Sequence, residues 1–143
     1  MKDVERLIYR SAMDAHEDWA LVRPPAACGV DWVVMLHGHG SSGDQLYTRP
    51  DLRERWLPAF ETRGLGILTP HLRGNAWMAP AAVADLHALL ERVRMEYGAR
   101  QFLFVSGSMG GTGNLIYSTL YPEDVDGLVA FCPVTDLADY LLW

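Results

Sequence analysis

Residues 101–120 read QFLFVSGSMGGTGNLIYSTL: a hydrophobic run, a turn of small residues and an apolar helical segment, with Ser108 at the apex of the turn. So sharp a strand-to-helix turn holds its apex residue in a strained backbone conformation. The residues two before and two after must be small, because strand and helix nearly touch there. Ser106 and Gly110 occupy those positions, and Gly107, Gly111 and Gly113 add room. Such a turn lifts the Ser108 hydroxyl to the top of a sheet. It also places the serine at a helix N-terminus, whose free N–H groups and dipole favour a developing negative charge. Serine before a helix is also a common N-cap. The buried strand and the glycines around this one separate it from that ordinary use.

Outward from this turn the chain alternates strand and helix. Upstream, residues 30–36 (VDWVVML) form a continuous apolar run of strand length, as expected for a parallel strand buried on both faces. Residues 51–62 suit a helix, and residues 66–69 (GILT) a second buried strand. Residues 79–97 carry Val83, Leu86, Leu90, Val93 and Tyr97 at helical spacing, and Gly98 follows as a stop. Residues 101–106 are the third buried strand, 109–120 its helix, and Gly127–Phe131 (GLVAF) the fourth strand. Ahead of these, residues 7–10 and 18–22 read as two short strands closed by Pro24 and Pro25. The pattern predicts one α/β domain over residues 1–143, a mostly parallel sheet with helices on both faces. Function in such folds gathers at the carboxyl ends of the strands. Those ends here read HGHGSSGD, PHLRGN, SGSMGG and CPVTD.

The serine turn resembles the nucleophile elbow G-x-S-x-G of the α/β-hydrolases, esterases and prolyl-oligopeptidase-like enzymes among them, with Ser106 where that family mostly has glycine. The segment LHGHG resembles the family's His-Gly loop. The resemblance implies Ser108 as nucleophile and the backbone N–H groups of His39 and Met109 as oxyanion hole, with Gly40 a second choice for the first donor. His37 is read as a structural histidine under the loop. HLRGN resembles the family's D-x-R-G turn with His71 in the acidic position. His71 is a minor candidate there, beside the plainer reading of a turn stabilised by Arg73 and Gly74. CPVTD resembles a segment whose aspartate is usually structural, which leaves Asp136 a minor candidate for the acid. Triad order in the family is Ser, then acid, then His. No histidine follows Ser108, the five being His16, His37, His39, His71 and His87. The resemblance therefore implies a C-terminally incomplete domain, lacking the last strands and helices, whose base and acid come from outside this sequence.

GHGSSG after a strand is also a formal G-x-G-x-x-G, the dinucleotide fingerprint. That reading needs an acid about twenty residues on, at the end of the next strand. The next strand ends at Thr69–Pro70–His71, and Glu61, at roughly the right count, falls in the preceding helix. A net charge of −6 argues against a nucleic-acid partner. No apolar run approaches the ~20 residues of a membrane span. The charged N-terminus MKDVERLIYRSAMD has no signal-peptide core, which points to the cytoplasm. Cys28 and Cys132 lack metal spacing and read as free thiols, and nothing calls for a metal or cofactor.

Three functions follow in order. The first is a serine hydrolase acting on a small ester, thioester or peptide, inactive or weakly active without an outside histidine. The second is a non-catalytic fragment or partner-binding module, and the third a dinucleotide-binding domain. Gly127–Phe131, apolar and without a seventh strand beside it, is expected to be an edge that self-associates or takes up a complementing chain.

Overall fold

The structure, a computed structural model, describes residues 3–25 and 29–142. Its strands are β1 (Glu5–Arg10), β2 (Glu17–Arg23), β3 (Asp31–Val34), β4 (Gly66–Pro70), β5 (Gln101–Gly107) and β6 (Gly127–Phe131). The helices are α1 (Gln45–Thr48), α2 (Pro50–Thr62), α3 (Pro80–Tyr97), α4 (Met109–Leu120) and α5 (Leu137–Tyr140), with a 3-10 turn over Pro122–Asp124. One six-stranded sheet runs in the order β1-β2-β4-β3-β5-β6. β1 pairs antiparallel with β2, and β2 antiparallel with β4. The remaining pairs, β4–β3, β3–β5 and β5–β6, are parallel.

The apolar runs are continuous because both faces of the sheet are covered. Trp32, Val34, Phe102 and Phe104 point to one face, against Leu86, Leu90 and Val93 of α3 and Tyr117 of α4. Val33, Met35 and Ile67 point to the other, against Leu46 and Tyr47 of α1 and Leu52 of α2. Pro80 opens α3, where its missing N–H is no loss. Gly98 closes it in the left-handed region at φ 68, donating its N–H to Arg94. Beside α3 and α4, the buried carboxylate of Asp124 accepts from Tyr117 Oη at 2.6 Å, His87 Nδ1 at 2.8 Å and Arg94 Nη1 at 2.8 Å. Burial alone would raise its pKa; the bonds from Tyr117, His87 and Arg94 outweigh that and hold it below the usual carboxylate range.

One sequence expectation is corrected, and one element is added. The strand expected over residues 30–36 has regular pairing only over Asp31–Val34. Beyond it Met35 still donates to the Leu68 carbonyl, but the Leu36 N–H turns to the Ser106 hydroxyl instead of a backbone partner. The short helix α1 was not expected, because QLYT is too brief to carry a period; burial of Gln45, Leu46 and Tyr47 holds it in place. Cys28 lies outside the described residues, and Cys132 is an exposed free thiol. No helix of the described residues is long and apolar enough to cross a membrane.

Candidate active site

β5 runs straight into α4 through Ser108, whose backbone sits at φ 53, ψ −128, a sparsely populated region for a residue with a side chain. Three contacts keep it there. The Ser108 N–H donates to the Phe131 carbonyl at 2.9 Å, and its own carbonyl accepts from Thr112 N–H at 3.0 Å. Gly110 lies so close to the end of β3 that a Cβ on it would overlap the Leu36 carbonyl and come within 2.8 Å of its carbon. Ser108 itself is exposed.

The loop after β3 is held rigidly from beneath. His37 is buried; its Nε2 lies 2.8 Å from the His71 carbonyl and its Nδ1 2.9 Å from the Gly38 carbonyl, and the single N–H of a neutral imidazole serves one of the two. Gln45 accepts from Gly38 N–H at 3.1 Å and donates to the Leu36 carbonyl at 3.4 Å. Gly40 N–H is taken by Asn75 Oδ1 at 2.8 Å. Among the described residues, the N–H groups of His39 and Met109 have no protein partner, and His39 is exposed. A narrow cavity of about 20 Å³ opens between this loop and α4, lined by Leu36, Leu72, Trp77, Met78, Met109 and Gly113 among others.

The turn after β4 is built for support. Leu72, Arg73 and Gly74 all have positive φ. Arg73 fixes them, donating its N–H to Asp18 at 2.6 Å, Nε to buried Asp85 at 2.7 Å, and both terminal nitrogens to Asp14 at 2.7 and 2.8 Å. His71 stacks on the Trp19 and His37 rings, with centroids 5.0 and 5.5 Å away. Its Nδ1 accepts from Gly43 N–H at 3.4 Å. Burial lowers its pKa, more than offsetting the charge of Asp18, so it favours the neutral form. Asp136 caps α5, accepting from Asp139 N–H at 2.9 Å, and is exposed. No side chain of the described residues hydrogen-bonds the Ser108 hydroxyl, so neither His71 nor Asp136 is joined to it. The described residues also hold no group of three or more His, Cys, Asp or Glu arranged for a metal.

The dinucleotide reading falls on the same geometry. The GHGSSG loop opens onto the four-residue α1 rather than a long helix that could hold a pyrophosphate at its N-terminus, and Glu61 pairs with Arg23 at 3.3 Å. Sequence reasoning missed Gln45 and Asn114, and the bond by which Asn75 holds Gly40. Nothing near them in the chain marks these amides as partners of Gly38, Gly40 and Ser106, which lie 7, 35 and 8 residues away.

Strand order, the turn at Ser108 and the glycine loop after β3 together define an α/β-hydrolase. The chain belongs to the family described as serine aminopeptidase, S33, whose model matches residues 30–142. It is 33% identical over 99 residues to a proline iminopeptidase of Xylella fastidiosa (strain 9a5c), covering 68% of this chain and 30% of that protein. In fold it is similar to the fluorophosphonate-binding serine hydrolase FphF of Staphylococcus aureus, at TM-score 0.80 and 14% identity, covering 96% of this chain and 60% of that one. It is also similar to a CE1 ferulic acid esterase of Anaeromyces mucronatus, at TM-score 0.71 and 14% identity, covering 91% and 58%. The chain thus spans under a third of the curated relative and about three-fifths of these structures.

Proposed function

We propose that this chain carries the nucleophile and oxyanion hole of a serine hydrolase that cleaves an ester, thioester or peptide bond by acyl transfer. The observation that carries the reading is Ser108 itself: exposed, at φ 53, at the junction of a buried strand and a helix N-terminus. Its Oγ attacks the substrate carbonyl carbon, and the N–H groups of His39 and Met109 take the charge developing on the oxygen. Both donors are backbone groups held by scaffold contacts, so they need no reorganisation as the charge appears. Gly40 is the weaker donor of the two considered for the loop, because Asn75 already occupies its N–H.

The proton leaving Ser108 Oγ needs a base, and none of the described residues is bonded to that oxygen. His37 is buried with each ring nitrogen facing a backbone carbonyl, and His71 is stacked on the Trp19 and His37 rings. A histidine from outside this sequence therefore completes the site, acting as general base and then as acid toward the leaving group. This same observation supports the second reading, a non-catalytic partner-binding module. Hydrolysis of p-nitrophenyl acetate separates them. The hydrolase reading expects a rate near background that is lowered further by Ser108→Ala; a rate indifferent to Ser108→Ala favours the module. Turnover of tens per second abolished by Ser108→Ala would make a resident group such as His71 the base.

A further inference from the structure

We infer that Ser106 and Asn114 form a buried tie that sets the spacing of the oxyanion hole, making both positioning residues for Ser108; this rests on the nucleophile reading above. Ser106 stands where a glycine is usual in the elbow, and the structure gives its hydroxyl a task. Ladder pairing between β3 and β5 stops at Val34 and Phe104. Two residues on, the buried Leu36 N–H donates to Ser106 Oγ at 2.9 Å. Ser106 Oγ in turn donates to Asn114 Oδ1 at 3.1 Å, and Asn114 Nδ2 donates to the Val129 carbonyl at 3.2 Å. Ser106 and Asn114 are both completely buried, so water does not substitute for any member.

Every direction in this relay is forced. The Leu36 N–H can only donate and the Val129 carbonyl can only accept. Asn114 therefore gives its NH₂ to Val129 and turns its oxygen to Ser106, whose hydroxyl accepts from Leu36 and donates its proton to that oxygen. The relay joins the segment just after β3 to β5, α4 and β6 in turn.

Its position gives it a catalytic consequence. The Leu36 peptide is the point where the loop carrying His39 meets the helix carrying Met109. Its N–H is held by Ser106, while its carbonyl faces Gly110 and accepts from Gln45. Whatever fixes this peptide fixes the distance between the two oxyanion donors. A shift of an ångström at such a site can cost a hundredfold in rate.

The test follows slow phosphonylation of Ser108 by a fluorophosphonate, read by mass over hours at several probe concentrations on the full chain. Ser106→Ala, Asn114→Ala and the double variant are compared with Tyr117→Phe, which removes a buried hydrogen bond of α4 away from the site. Melting temperatures are recorded for all. The tie predicts that each of the first two lowers the limiting labelling rate about tenfold or more, with the half-saturating probe concentration unchanged. It also predicts a double variant no slower than the worse single, because the two act as one unit. Tyr117→Phe melts earlier but labels at the unsubstituted rate. The tie is overturned if Ser106→Ala and Asn114→Ala label like the unsubstituted chain, or if every variant, Tyr117→Phe included, slows in step with its melting temperature. If the unsubstituted chain itself fails to label, the nucleophile reading falls and the tie with it.

Discussion

The peptide nitrogen of Ser108 donates to the carbonyl of Phe131 at 2.9 Å, which joins the elbow to the end of the last strand in the sheet. That strand, β6, pairs on one side with β5 and stands at the end of the strand order. Val129 and Phe131 on it are 44% and 46% exposed, although Phe131 also rests on Trp56 with ring centroids 5.0 Å apart. An apolar edge without charge, proline or bulge is a template for another strand. The isolated chain is therefore expected to self-associate or to bind a second polypeptide here. Light scattering over a concentration series checks it: Val129→Lys should reduce association. A clean monomer at high concentration, unaffected by that change, would contradict the expectation.

Gly110→Ala should be costly, because the added methyl meets backbone and not a flexible side chain. Moving α4 away from Leu36 to relieve the clash is expected to cost about 1–3 kcal/mol, the usual range for overpacking. Denaturant unfolding measures this. The same variant should label more slowly at Ser108, whereas Gly111→Ala, where a Cβ finds its nearest neighbour at 3.3 Å, should be milder.

Stability should fall on the acid side. Folding depresses the pKa of Asp124, of Asp14 beside Arg73, and of Asp51 beside Arg49. A carboxylate with a depressed folded pKa adds stability that is present above its unfolded value, about 4, and is lost as pH falls through the folded one. His71 acts in the same direction over a higher window. Its folded pKa lies below the unfolded value of about 6.5, so loss begins as pH drops beneath that. Melting temperature should thus decline gently below about pH 6.5 and steeply below about pH 4. Tyr117→Phe should cost about 1.5–3 kcal/mol at neutral pH, as for a hydrogen bond to a charged group. It should also weaken the steep acid limb, since Asp124 loses one of the bonds that lower its pKa. An acid limb unchanged by Tyr117→Phe would contradict this role for Asp124.

The elements that the sequence reveals best are those where local and global signals agree. VDWVVML is buried on both faces, and Val83, Leu86, Leu90 and Val93 mark the inward face of α3. Gly98 and the small residues around Ser108 are equally direct, because each answers a backbone demand at its own position. What escapes is whatever depends on a partner distant in the chain. Asn75 holding Gly40, Gln45 bracing Gly38 and Asn114 meeting Ser106 are all polar residues that read locally as loop or helix surface. The end of β3 escapes for the same reason, since a side chain of β5 replaces a rung of the ladder at Leu36. Ser106 is the instructive case. In the sequence it is a tolerable departure from glycine; in the fold its hydroxyl is bonded on both sides.

The most direct test of the central claim is the site of covalent modification. The chain is incubated for hours with a fluorophosphonate and digested, and the modified residue is identified by tandem mass spectrometry, with Ser108→Ala in parallel. With no histidine of the described residues bonded to the hydroxyl, the adduct should accumulate slowly, on Ser108 alone, and be absent from Ser108→Ala. Absence of any adduct on Ser108, or an equal adduct in Ser108→Ala, would contradict the assignment of Ser108 as the nucleophile.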